Sequence, residues 1–244
     1  MSVKPDISLY GPSIRPQDWL DYYERVGSNS INFEIVFVGP NESNSTLPDN
    51  FKFIKSNTKP AQCVEIARRN AIGDLIMNVA DDHYFMEEHP LDHLCNTYYS
   101  YNNDKLLLSC RYMINGKDRT HDHLFFVHDP TSPVVPCQSL MKRELHEKIG
   151  GVDRNFIAVM WDLDIAMRVY AIGGTVVISN VYTNELKDKN AGSFLCAEYW
   201  AEDRGLLERL WAVNGKVQFN RALPFTPFSN YNIIGDTQGP KGRW

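Results

Sequence analysis

Apolar runs and helical periods alternate through the first third of this chain, and that alternation limits what it can fold into. "DISLYG" at 6–11 reads as a strand stopped by Gly11-Pro12. "RPQDWLDYYERVG" at 15–27 reads as a helix, with Trp19, Leu20, Tyr23 and Val26 at helical spacing and Gly27 as its stop. "NFEIVFVGP" at 32–40 is almost wholly apolar, the pattern of a strand buried on both faces. "FKFIKSN" (51–57) is a shorter strand, "PAQCVEIARRNAIG" (60–73) a helix with Pro60 in its first turn, and "DLIMNVA" (74–80) a further strand. This order predicts an α/β fold in which helices cover a mixed, mostly parallel sheet. Ligands of such sheets bind beyond the carboxyl ends of the strands.

The second half is less regular. "DKLLLSCRYMING" (104–116) reads as strand and turn, and "HDHLFFVHD" (121–129) as a strand. "SLMKRELHEKIGGVD" (139–153) and "WDLDIAMRVYAIGG" (161–174) read as helices, and "TVVISNVYTNE" (175–185) as a strand. "SFLCAEYWAEDRGLLERLWAVNG" (193–215) is a long amphipathic helix, and 216–244 reads as an irregular tail. We divide the chain into one domain over 1–190 and a C-terminal helix and tail over 191–244.

Composition narrows the function. The net charge is -5 and no basic tract could track phosphates, which predicts no nucleic-acid partner. Five cysteines without a C-x-x-C pair suggest neither a zinc cluster nor a disulfide framework. "MSVKPDISLYG" lacks a basic-then-apolar leader, and no apolar stretch approaches the roughly 20 residues of a membrane span. These features predict a cytoplasmic protein with no transmembrane segment and reduced thiols.

The chemistry sits in two acidic groups. Asp81-Asp82-His83 follows a strand directly, at the ligand edge of the sheet. Adjacent carboxylates suit Mg²⁺ or Mn²⁺, with substrate phosphates completing the shell. They also suit a turn or a helix cap, so their spacing leaves both readings open. Asp162 and Asp164 open the 161–174 helix, where an acid can serve as a cap or as a base. Their side chains point in different directions, so at most one is the base.

In order along the chain, four segments resemble the GT-A glycosyltransferases, most closely the inverting family 2 group. "ISLYGPSIRPQDWLDYY" stands at that family's first strand, turn and helix, and "FEIVFVGPNES" at its second strand. "ARRNAIGDLIMNVADDHYF" is similar to the segment holding the metal-binding DXD motif, and "GGVDRNFIAVMWDLDIAMRVYAIGG" to the segment holding the catalytic carboxylate. The resemblance covers roughly residues 5–185 and implies a Rossmann-like, nucleotide-binding GT-A fold. Residues 1–100 would hold the nucleotide sugar and 101–190 the acceptor. It implies transfer of a sugar from a nucleotide-diphosphate donor to a hydroxyl of a glycan or other acceptor, with Mn²⁺ or Mg²⁺. Asp82 would hold the metal, Asp81 the ribose or metal, and Asp162 would be the base. Tyr10, Gly11 and Pro40 would line the nucleotide pocket, with Arg69 and Asn70 near it.

The departures are specific. Ala80 stands for the first acid of the metal motif, Gly39-Pro40 for the usual Asp-Asp, and Trp161 for the Glu of a Glu-Asp pair. Trp161 is either a platform for the acceptor sugar or a core residue. The family's late histidine has no match, and Asn184 or Glu185 stands near its place. His121, His123 and His128 have no motif behind them. A receiver domain would place its acids after its first strand. A nucleotidyltransferase would carry a glycine-rich basic loop that "YGPSIRP" lacks. A GT-A fold without activity is the remaining alternative.

Overall fold

The computed structural model describes residues 4–120, 125, 131–135, 138–185 and 193–228, with side chains in the last stretch from 198 onward. The elements run β1 (Ile7–Pro12), α1 (Trp19–Val26), β2 (Phe33–Gly39), β3 (Phe51–Lys55), α2 (Pro60–Asn70), β4 (Leu75–Asn78), β5 (His83–Phe85) and α3 (Pro90–Ser100). They continue with β6 (Leu106–Ile114), β7 (Lys117–Asp118), β8 (Ser139–Lys142), α4 (Arg143–Ile149), α5 (Trp161–Ala171), β9 (Thr175–Glu185), α6 (Ser193–Trp211), β10 (Ala212–Val213) and β11 (Lys216–Val217).

The main sheet runs β3-β2-β1-β4-β8-β6-β9-β5, with β7 beside β6. β3, β2, β1 and β4 are parallel, as are β6 and β9, while β8 and β5 run against their neighbours. Alternate residues of the first strands bury opposite faces. Ile7, Leu9, Ile35, Phe37, Leu75 and Met77 pack with α1 and α3. Tyr10, Val36, Val38 and Ile76 pack with α2, α4, α5 and α6. Burial on both faces explains why these strands read as unbroken apolar runs.

Three segments differ from the sequence reading. Residues 139–142, expected to begin a helix, form β8, because Asn78 Oδ1 accepts both the N–H and the hydroxyl of Ser139 at the end of β4. The helix expected to reach 215 stops at Trp211, and "AVNGKV" turns into the β10–β11 hairpin. Asn214 and Gly215 both take positive φ there, which an Asn-Gly turn accommodates. β5, which no sequence pattern marks, forms by pairing antiparallel with β9. The strand expected at 121–129 lies outside the described residues apart from Phe125, as do the side chains of His121, His123 and His128. Leu207, Leu210, Trp211 and Phe228 belong to the same core as α2, α4 and α5.

Two glycines bring the carboxyl ends together. A Cβ on Gly11 would lie 1.9 Å from the Val79 carbonyl oxygen, and one on Gly39 would lie 1.7 Å from that of Ser13. Backbone cannot yield as a side-chain end can. Gly11→Ala is therefore expected to lower stability by about 2–3 kcal/mol in urea denaturation. Wild-type stability in that variant would refute the close approach.

Candidate active site

Those close approaches lay the loop after β1 against the turn after β4, and Asp81 bonds the two. Its Oδ2 accepts the Ser13 hydroxyl at 2.7 Å and the N–H groups of Ile14 and Arg15 at 3.0 Å each. Its Oδ1 accepts Arg15 Nη1. Asp81 is 3% exposed and held on both oxygens, so it is an anchor for the 13–15 loop. The same guanidinium reaches the next acid, with Arg15 Nη2 3.1 Å from Asp82 Oδ2.

Asp82 turns its other oxygen the opposite way. Oδ1 is 3.7 Å from His83 Nε2, and that nitrogen is 3.7 Å from Glu185 Oε2. The second contact follows from register, since β5 places His83 directly across from Glu185 on β9. The Tyr112 hydroxyl donates to Glu185, and the Gln138 amide meets His83 Nδ1. Burial raises the Asp82 pKa; His83 and Arg15 pull it down, and Asp81 adds to the rise. Among the described residues, no group of three or more His, Cys, Asp or Glu side chains is arranged to hold an ion.

The two aspartates of α5 separate cleanly. Asp164 is 0% exposed and accepts Arg168 Nε at 2.9 Å, Trp211 Nε1 at 2.8 Å and Arg221 Nε at 3.2 Å. Asp162 is partly exposed and accepts the Leu163 N–H at 2.9 Å. Burial pushes its carboxyl up to about 7, against the pull of the Leu163 and Asp162 N–H groups and of His83. Asp162 thus lies within electrostatic reach of His83.

Other expected site residues are placed differently. The Tyr10 side chain, expected to line a nucleotide pocket, is 1% exposed, and its hydroxyl lies 3.2 Å from His146 Nε2. Strand alternation turns it into the core beneath α2 and α4. Arg69 and Asn70, expected near the nucleotide, end α2 at the opposite edge of the sheet. Gly73, just beyond them, lies against Ile7 and Ser8, where β1 begins. Arg69 there bonds Glu65 at 2.6 Å and the Phe228 carbonyl at 3.3 Å, and Asn70 bonds the Ile66 carbonyl. Trp161 is 9% exposed and packs in the core, which decides against a sugar platform. Asn184 is buried and accepts the Gly116 N–H. Gly11 and Pro40 do lie at the carboxyl ends of β1 and β2, with Pro40 partly exposed. His83 stands beside the two acids in the sequence, and its pairing with Glu185 comes from strand register alone; Arg15, in the "YGPSIRP" loop, is the residue that no sequence signal marks.

No protein-family model matches the sequence, and no curated protein matches it. Solved structures do. Residues 1–349 of S. aureus TarS in complex with UDP-GlcNAc superpose with a TM-score of 0.63 at 15% identity, over 84% of this chain and 65% of that one. This chain has the GT-A fold. Mannosyltransferase PcManGT from Pyrobaculum calidifontis, in complex with GDP-Man and Mn²⁺, gives 0.63 at 15% identity, over 89% of this chain and 67% of that one. GalNAc-T7 with UDP, GalNAc and Mn²⁺ gives 0.58 at 10% identity, over 86% and 51%. The GT-A chain described here spans about two thirds of the first two and half of the third. Among the described residues no helix is long and apolar enough to cross a membrane.

Proposed function

We propose that this chain transfers a sugar from a nucleotide-diphosphate donor to an acceptor hydroxyl, with inversion at the anomeric carbon. The observation that carries the reading is the gathering of Asp82, His83 and Glu185 at the carboxyl edge of a GT-A sheet, with Asp162 within electrostatic reach of His83. The donor would lie across the ends of β1 and β2, against Gly11 and Pro40.

The donor types at this edge fit Mn²⁺ or Mg²⁺: two carboxylates and one imidazole. A second observation supports the fit. Gln138 is buried, and its Oε1 has no partner while its Nε2 meets His83 Nδ1. A half-turn of that amide lets the Gln138 Oε1 accept the His83 Nδ1 proton and leaves a lone pair on His83 Nε2, facing the two carboxylates. Asp82, His83 and Glu185 would hold the ion. When bound, it would supply positive charge to the departing diphosphate.

The chain's own groups do the rest. The acceptor oxygen attacks the anomeric carbon as the bond to the diphosphate breaks, and the electron pair leaves with the diphosphate. Asp162 takes the acceptor's proton. A carboxyl pushed up to about 7 is near half-ionised at neutral pH and a stronger base than an ordinary aspartate. Arg15, fixed by Asp81, adds a guanidinium beside the leaving group.

Two measurements test the reading. In a nucleotide-sugar hydrolysis or transfer assay, Mn²⁺ should restore activity lost to EDTA. Asp82→Asn should weaken Mn²⁺ affinity, read by paramagnetic resonance, by 10-fold or more. Full activity in excess EDTA would rule out the metal, and no turnover with any nucleotide sugar would rule out the transfer.

A further inference from the structure

The C-terminal helix α6 holds a buried carboxylate that acts on the segment leading into α5. Asp203 is 0% exposed. Its Oδ1 accepts the Ile157 N–H at 3.0 Å, and its Oδ2 accepts those of Ala158 and Val159 at 2.8 and 2.9 Å. Three successive backbone N–H groups thus converge on one carboxylate, the arrangement of an anion-binding nest filled from within the protein. Ile157, Ala158 and Tyr199 close over it as a small apolar cluster.

The segment so held is the approach to Asp162. The Ile157 carbonyl accepts the Ala61 N–H at the start of α2. Met160 then takes a left-handed φ of 64°, which a non-glycine residue keeps only when its surroundings impose it. The Met160 carbonyl accepts the Asp164 N–H, which starts α5. Asp162 lies two residues past that turn. α6 grips the same helix again at Asp164 through Trp211.

We infer that Asp203 is a positioning residue: by binding the 157–159 backbone it sets the Met160 turn, and with it the place of the Asp162 carboxylate against the acceptor. The inference rests on the transferase reading for its link to turnover, but the placement of Asp162 can be read without activity. A carboxylate is required because three N–H donors need two acceptor oxygens with lone pairs to share, and charge-assisted bonds are the stronger kind. Asp203→Asn keeps one acceptor oxygen and the volume; Asp203→Ala removes the cradle.

The experiment uses the full chain, well below the unfolding temperature of each variant. Asp203→Asn should lower kcat by roughly 10- to 100-fold with donor KM within about twofold, because small displacements of a base cost rate rather than donor binding. In carboxyl-¹³C aspartate NMR, with Asp162→Asn to assign the signal, the Asp162 titration midpoint should move in both Asp203 variants. His83, the side chain that acts on Asp162, remains unchanged in them. A folded Asp203→Asn with wild-type kcat and an unmoved midpoint would overturn the inference, since a merely structural carboxylate would lower only the unfolding temperature. Should the wild type transfer no sugar, the transferase reading fails by itself and the NMR midpoint alone decides for or against Asp203. If Asp203→Ala does not fold, the Asn variant carries the same decision.

Discussion

Asp162→Asn should lower kcat by two orders of magnitude or more and, at the same time, make the protein more stable at neutral pH. The first effect follows from the loss of a base whose proton transfer is worth roughly 10²–10⁴ in rate. Asn is close to isosteric with Asp, so donor affinity should change little. The second effect follows from the raised pKa. Burial lifts the Asp162 carboxyl from its ordinary value to about 7. The native state therefore prefers the neutral acid. Below about pH 4 both native and unfolded chains are protonated and Asp162 costs nothing. Between that pH and 7 the unfolded chain ionises first, and above 7 the native state carries the buried anion at full cost. The rise to about 7 caps the effect near 4 kcal/mol, and a partly exposed side chain brings the expected gain to about 1–2 kcal/mol. Wild-type kcat should rise with pH through a limb near 7, and that limb should be absent in the variant's residual activity. The check is kcat, donor Kd and unfolding temperature for both proteins across pH 5–8.5. A variant that keeps its turnover would strip Asp162 of the role of base.

Asp164→Asn has the opposite expected profile. Asp164 is the shared partner of Arg168, Trp211 and Arg221. Arg168 also donates to the Ile149 and Gly151 carbonyls, and Arg221 continues to Asp153 at 2.5 Å. This buried network ties α5 to the end of α6 and to the chain beyond it. Removing one partner's charge leaves guanidinium groups buried and undercompensated, which costs about 3–5 kcal/mol. We expect that loss in chemical denaturation, with kcat at low temperature within a few-fold of wild type. If the variant were as stable as wild type yet unable to turn over, the roles of the two α5 aspartates would be reversed.

Much of the fold was legible because its evidence is local. The strands of the parallel half show as unbroken apolar runs, since each strand's two faces are buried whatever lies against them. The same runs end in Gly11-Pro12, Gly39-Pro40 and Asp81-Asp82, so the sequence alone placed the candidate site at the carboxyl edge. It also singled out Asp162 and Asp164 as a pair of which only one could be a base.

Tertiary structure decided what each of these side chains faces. Asp81 reads as a ligand in sequence, yet it anchors the 13–15 loop, because the missing Cβ atoms of Gly11 and Gly39 let two loops touch. Tyr10 reads as a pocket residue, yet the period of two turns it into the core. Arg69 and Asn70 read as site residues, yet α2 runs back to the far edge of the sheet. His83 meets Glu185 only because β5 pairs with β9, and the loop before Asp162 is held only because α6 brings Asp203 beneath it. Local pattern reports which faces are buried. Partners far apart in the chain depend on strand order and register, which no short stretch of residues encodes.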